Sequence, residues 1–254
     1  MSDVTHTDTS PTVVLVHGAF ADGSSWNGVV ERLQKQGHMV VVPANPLRGL
    51  AEDTAYIASV VDQIDGPVLL IGHSYAGAII SNVVAKARNV VGLVFVAAFA
   101  PDDGEWLGDV TPRSKDAILG PALLPRKYPI GRDGETGVEL VINPARFHEI
   151  FAADLPADRS AVLAAGQRPV AQAAFSEKAG PPAWKTVQSW AVVATGDKAV
   201  GADLVRSLAQ RAGAKITEID GSHQLMVSQP DAVTEVILQA ARAVAEPAGA
   251  GKPQ

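Results

Sequence analysis

The sequence predicts an α/β architecture: a mainly parallel sheet of about six strands flanked by helices, with a helical cap inserted after the fourth visible strand. Three observations carry this. Short runs rich in valine and isoleucine alternate with longer segments of helical period, as parallel strands joined by crossover helices do. The first run, 12–16, is nearly unbroken in β-branched residues, which suits a strand covered on both faces. Between 101 and 185 the alternation stops: prolines and glycines are frequent, alanine-rich pieces such as 159–166 look helical, and no strong strand signal is visible.

The elements follow in order. After the first strand comes a helix over about 25–36, which Gly37 is placed to end, then a strand at 38–43. A helix over 52–64 puts Ile57, Val60, Val61 and Ile64 on one face. The third strand, 68–71, runs through Gly72-His73-Ser74-Tyr75-Ala76 into a helix ending near Arg88, and 90–99 forms the fourth. Beyond the insertion, strands at 190–194 and 215–219 bracket a helix at 202–212. The last helix spans about 229–245. Ser228 and Asp231 have capping-box spacing, and Val233, Val236, Ile237, Ala240 and Val244 form one stripe. This divides the chain into a core of 11–100 and 186–245 and a cap of 101–185. The polar or Gly/Pro-rich ends, 1–10 and 246–254, are expected to be disordered.

Composition narrows the function. The net charge of -6 and the absence of a basic cluster argue against a nucleic-acid partner. Without cysteine there is no disulfide, thiol nucleophile or thiolate metal site. The polar first ten residues show no signal-peptide pattern, so the cytoplasm is the expected compartment. The apolar runs fall short of the ~20 residues that cross a bilayer, so no membrane association is expected. No histidine pair has metal-ligand spacing with a carboxylate, and 72–77 has neither a P-loop lysine nor a dinucleotide fingerprint. No metal or cofactor is expected.

A serine hydroxyl attacks a carbonyl only with an exposed position, a base and donors for the oxyanion. Ser74 lies between a strand and a helix, where a sharp turn would lift its side chain above the sheet. Such a turn needs small neighbours, which Gly72 and Ala76 supply; the motif reads G-x-S-x-A, with Gly77 next. The N–H of Tyr75, at the helix start, is the expected first oxyanion donor. Val16-His17-Gly18-Ala19-Phe20 occupies the loop after the first strand, so the N–H of Ala19 is the expected second, and His17 is read as holding that loop. Asp197 and His223 each follow a later strand, at the sheet edge where open parallel sheets build sites. The chain order Ser74, Asp197, His223 makes His223 the candidate base and Asp197 its support. Asp220, on the histidine's own loop, is the rival carboxylate.

These residues resemble the α/β-hydrolase superfamily, and within it the bacterial relatives of the plant methylesterase and hydroxynitrile lyase group. The resemblance rests on Val14-Leu15-Val16-His17-Gly18-Ala19, Gly72-His73-Ser74, Thr195-Gly196-Asp197 and Gly221-Ser222-His223, and covers roughly 12–100 and 187–245. It implies the α/β-hydrolase fold, without the usual leading hairpin, and a small-molecule ester-like substrate cleaved through an acyl-enzyme. The family's lyases look as though they need a lysine after the catalytic histidine, where this chain has Gln224. Dehalogenases and epoxide hydrolases of the fold carry an aspartate where it has Ser74. A non-hydrolytic lyase, a cofactor-free oxygenase and a ligand-binding receptor are the rival readings.

Eight aromatic residues are candidates to line an apolar pocket between core and cap: Phe20, Trp26, Trp106, Tyr128, Phe147, Phe151, Phe175 and Trp184. Packing is the ordinary role for any one of them. Phe20 is assigned to substrate binding because the oxyanion loop carries it. His73 is read as the variable residue of the turn, and His148, in the cap, is left between lining the pocket and covering it.

Overall fold

A computed structural model describes residues 10–84, 87–131 and 134–245. The expected disordered ends lie outside the described residues, apart from Ser10, which is exposed and in no regular element.

The chain begins with β1 (Thr12–Val16), a 3-10 turn (Gly23–Trp26) and α1 (Asn27–Lys35). Gly37, at φ 82°, ends α1 as its sequence position predicts. β2 is only Val40–Val41, shorter than the sequence suggested, because it pairs with β1 at just two positions. There follow α2 (Leu50–Asp62), β3 (Val68–His73), α3 (Ala76–Val83) and β4 (Val90–Val96).

The inserted stretch then gives α4 (Leu107–Val110), β5 (Leu123–Ile130), β6 (Glu135–Ile142), α5 (Pro144–Phe151), α6 (Ala157–Ala165), β7 (Val170–Ala171) and α7 (Ala173–Ser176). The chain returns with β8 (Ser189–Ala194), α8 (Ala202–Arg211), β9 (Lys215–Ile219), the single turn α9 (Leu225–Ser228) and α10 (Pro230–Ala245). Ser228 thus closes α9 instead of capping the last helix. Pro230 opens α10, a position where its missing N–H costs nothing, and Asp231 pairs with Arg32 of α1.

The main sheet has the order β2-β1-β3-β4-β8-β9, and every adjacent pair is parallel. Because side chains alternate along a strand, the two faces sort by residue parity. Val13, Leu15, Leu69, Ile71, Val94 and Val96 pack under α1 and α10. Val14, Val16, Leu70, Leu93 and Phe95 pack under α2, α3 and α8. The chain moves outward from β1 to β2 and then returns to place β3 on the other side of β1. The carboxyl ends of β1 and β3 therefore adjoin at a switch point, where such sheets leave a crevice.

The insertion carries its helices together with an antiparallel sheet, β5-β6-β7, that no strand signal announced. Pro125 and Pro129 interrupt the β5 pattern; on an edge strand a proline is tolerated.

Glu105 fastens the insertion to the core. Both its carboxylate oxygens accept from Arg211 of α8, at 2.9 and 2.7 Å, and Oε1 also accepts from Arg113 at 2.8 Å. The Arg211 guanidinium, more than any other neighbour, holds the Glu105 carboxyl down at about 2. A carboxyl whose folded pKa is depressed stabilises the fold above its unfolded value, and that stabilisation is lost as pH falls through the folded one. Glu105→Gln should therefore cost about 1 to 3 kcal/mol near neutrality. In thermal unfolding, the gap between parent and variant should narrow as pH is lowered from ~5 towards ~2.

Candidate active site

The candidate nucleophile sits where the sequence placed it, in the two-residue turn between β3 and α3. Ser74 adopts φ 55°, a left-handed conformation that costs a non-glycine residue energy. The turn is tied to the end of β4: Ser74 N donates to Val96 O at 3.1 Å, and Ser74 O accepts from Gly77 N at 3.0 Å and Phe99 N at 3.2 Å.

The small residues around it are small for reasons of distance. A Cβ on Gly72 would lie 2.7 Å from the Ala76 carbonyl oxygen, and one on Gly77 would lie 2.0 Å from that of Phe99. The helix thus comes closest to the segment that follows β4 at Gly77, one residue beyond Ala76 of the motif, and Ala76 fits with its methyl buried.

The loop after β1 passes against this turn: a Cβ on Gly18 would lie 2.8 Å from the Ser74 Cβ. His17 pins that loop, donating from Nδ1 to Gly18 O (3.0 Å) and accepting at Nε2 from Asn45 N (3.1 Å). Burial lowers its pKa to about 4, so it stays the neutral tautomer these bonds require. Its reading as a structural histidine agrees with this geometry.

The loops after β8 and β9 are zipped together by Thr195 N to Ile219 O and Gly196 N to Gly221 O, at 3.0 and 2.9 Å. That pairing brings Asp197 beside His223. His223 Nδ1–H donates to Asp197 Oδ2 at 2.9 Å, both side chains fully buried. Asp197 Oδ1 accepts from the N–H groups of Ala199 (2.8 Å) and Val200 (3.1 Å), which fix the carboxylate. The rival Asp220 is exposed and accepts from Thr195 Oγ1. With Nδ1 donating, Nε2 carries the lone pair; it is buried and has no hydrogen-bond partner, so no bond joins it to Ser74.

Between core and insertion lies a cavity of about 350 Å³, lined by Ser74, Tyr75, Ala19, Phe20, Phe99, Ala199 and Val200 from the core. Trp106, Leu119, Leu123, Leu140, Phe151, Phe175 and the polar Thr111, Gln172 and Ser176 are among those that close it from the insertion. Among the described residues no charged side chain lines it.

Of the eight aromatic candidates, Phe20, Trp106, Phe151 and Phe175 line this cavity and the other four do not. Trp26 is buried beneath the opposite face of the sheet, and Tyr128 lies under the Arg48 guanidinium. Phe147 packs on Phe151 at 5.0 Å, and Trp184 Nε1–H donates to Pro101 O at 3.2 Å. His148 borders a separate small cavity between α5 and α6.

Several residues around the site went unsingled in the sequence. Asp53, fully buried in the first turn of α2, accepts from the Tyr75 hydroxyl at 2.7 Å and from Arg48 N at 2.9 Å. Burial raises the Asp53 carboxyl and pushes the Tyr75 phenol well up. Asp154, likewise, accepts from Ser222, while Phe151, one of the aromatic candidates, places its ring centroid 4.8 Å from that of His223, tilted by 51°. No local pattern distinguishes Asp53 or Asp154, since their role depends on side chains remote in sequence, Tyr75 and Ser222.

A matched pair of variants tests the backbone strain. Ser74→Gly removes the positive-φ penalty that Ser74→Ala retains, and should be the more stable of the two by on the order of 1 kcal/mol in denaturant unfolding. Equal stabilities would mean the turn relaxes without cost.

The match to known families agrees with this geometry. Residues 13–236 fit the model of the "Alpha/beta hydrolase family", and the chain belongs to that family. A carbendazim hydrolyzing esterase of Nocardioides sp. (strain SG-4G) is 30% identical over 114 residues, 40% of this chain and 47% of that protein. The match thus spans about half the length of that relative. Among solved structures, polyneuridine aldehyde esterase superposes with a TM-score of 0.76 at 20% identity, over 91% of this chain and 98% of that one. A methylesterase, MES16, from Arabidopsis gives 0.74 at 17% identity, over 92% and 99%. These two likenesses speak to the fold alone.

Proposed function

We propose that this protein is a serine hydrolase that cleaves small, neutral carboxylic esters through an acyl-enzyme. His223 takes the proton of Ser74 as its oxygen attacks the ester carbonyl, and the N–H groups of Tyr75 and Ala19 receive the oxyanion. The protonated imidazole then hands its proton to the departing alcohol, and water releases the acid by the same route in reverse. Asp197 holds the imidazole in the Nδ1–H tautomer and stabilises its cationic form without taking the proton. Residues 11–100 and 186–245 serve as the core, and 101–185 as a cap over the cavity. The cytoplasm remains the proposed compartment; among the described residues no helix is long and apolar enough to cross a membrane.

The observation that carries this reading is the buried Asp197–His223 bond, which leaves Nε2 as a free lone pair. The esterase name of the Nocardioides relative points the same way. Phe20 belongs to the substrate-binding wall, since it lines the cavity with Ser74.

Ser74→Ala should lower kcat on short-chain p-nitrophenyl esters by roughly 10⁴- to 10⁶-fold with little change in ligand binding. A fluorophosphonate probe should label the parent at Ser74 by mass spectrometry. A variant that keeps most of its turnover, or labelling elsewhere, would remove the nucleophile assignment.

The uncharged lining sets the substrate's charge, because a carboxylate brought into it loses water and gains no cationic partner. Between p-nitrophenyl butyrate and the p-nitrophenyl half-ester of succinate, kcat/KM should favour the neutral ester by ~100-fold or more. Comparable values would show that the acyl group does not occupy this cavity.

A further inference from the structure

His73 immediately precedes Ser74 and is fully buried. Its Nε2 lies 2.9 Å from the His223 carbonyl oxygen, so Nε2–H donates there, across 150 residues of sequence. The two imidazoles lie with centroids 4.6 Å apart, tilted by 49°. Among the described residues no other group donates to that carbonyl, and the next amide, Gln224 N, donates to Phe151 O at 3.0 Å. The backbone carrying His223 is therefore held at two points, one of them the neighbour of Ser74.

We infer that His73 is a positioning residue: its bond to the His223 carbonyl sets how far the imidazole stands from the Ser74 hydroxyl. This rests on the proposed Ser74–His223 chemistry. A residue present for packing alone would leave nothing unpaired, yet His73 Nδ1 is buried without a partner, a cost an apolar side chain of similar size would avoid. The bond to His223 is what the imidazole supplies in return. Burial, with His223 and His17 as neighbouring imidazoles, keeps His73 neutral, so the donor persists while His223 gains and loses its proton during turnover. Its Nε2–H tautomer is the mirror of the Nδ1–H tautomer in the base.

The test compares His73→Leu, which fills the space without a donor, with His73→Gln, whose side-chain amide can donate from a similar reach. Ser74→Ala is measured alongside. A misplacement on the order of 1 Å costs ~100-fold, so His73→Leu should lose roughly 10- to 100-fold in kcat with KM nearly unchanged, and His73→Gln should recover much of that loss. Unchanged kcat in folded His73→Leu, or equal losses in both variants, would overturn the inference. If Ser74→Ala stays active, the underlying reading fails instead. Nitrogen-15 spectra of the parent decide the matter where a variant does not fold: His73 should be neutral and protonated at Nε2 across roughly pH 5 to 8, and a proton on Nδ1 would overturn the inference.

Discussion

The close crossing of α3 over the ends of β3 and β4 is the constraint on which the rest of the site depends. Three backbones meet around Ser74 at separations that leave no room for a Cβ on Gly18, Gly72 or Gly77. The left-handed φ of Ser74 is the local cost of that approach, held in place by hydrogen bonds from Gly77 and Phe99 to its carbonyl and by its own N–H to Val96. Packing on both faces of the sheet makes the turn possible, because a strained residue persists only where its surroundings over-determine it.

The second requirement is electrostatic. Burying a carboxylate is costly unless its oxygens find partners, and those of Asp197 accept from two backbone N–H groups and from the imidazole. The same low-dielectric setting would strengthen its attraction for the positive charge that the proposed reaction develops on His223. Asp53 shows the contrast: held by a phenol and an amide, with its pKa raised by burial, it anchors the Tyr75 side chain and has no imidazole to serve.

Much of this was legible in the sequence because it is written in local patterns. Short runs rich in valine and isoleucine, alternating with helical segments, marked the sheet, and the strand ends preceding Asp197 and His223 put forward a pair that the structure joins by a hydrogen bond. Ser228 misled because a capping-box spacing arises as readily at the end of one helix as at the start of the next. The antiparallel strands went unread because Pro125 and Pro129 break the period and much of β5 faces solvent. His73 was taken for a variable turn residue since its partner, a backbone carbonyl 150 positions away, leaves no trace in composition or spacing.

Phe151 belongs to α5 in the insertion, yet its ring rests on His223 and its carbonyl holds the following amide. Any hinging that admits a guest by raising this helix must also uncover the imidazole and flood it with water. Under the proposed chemistry, admission and bond cleavage would then need separate postures of the molecule.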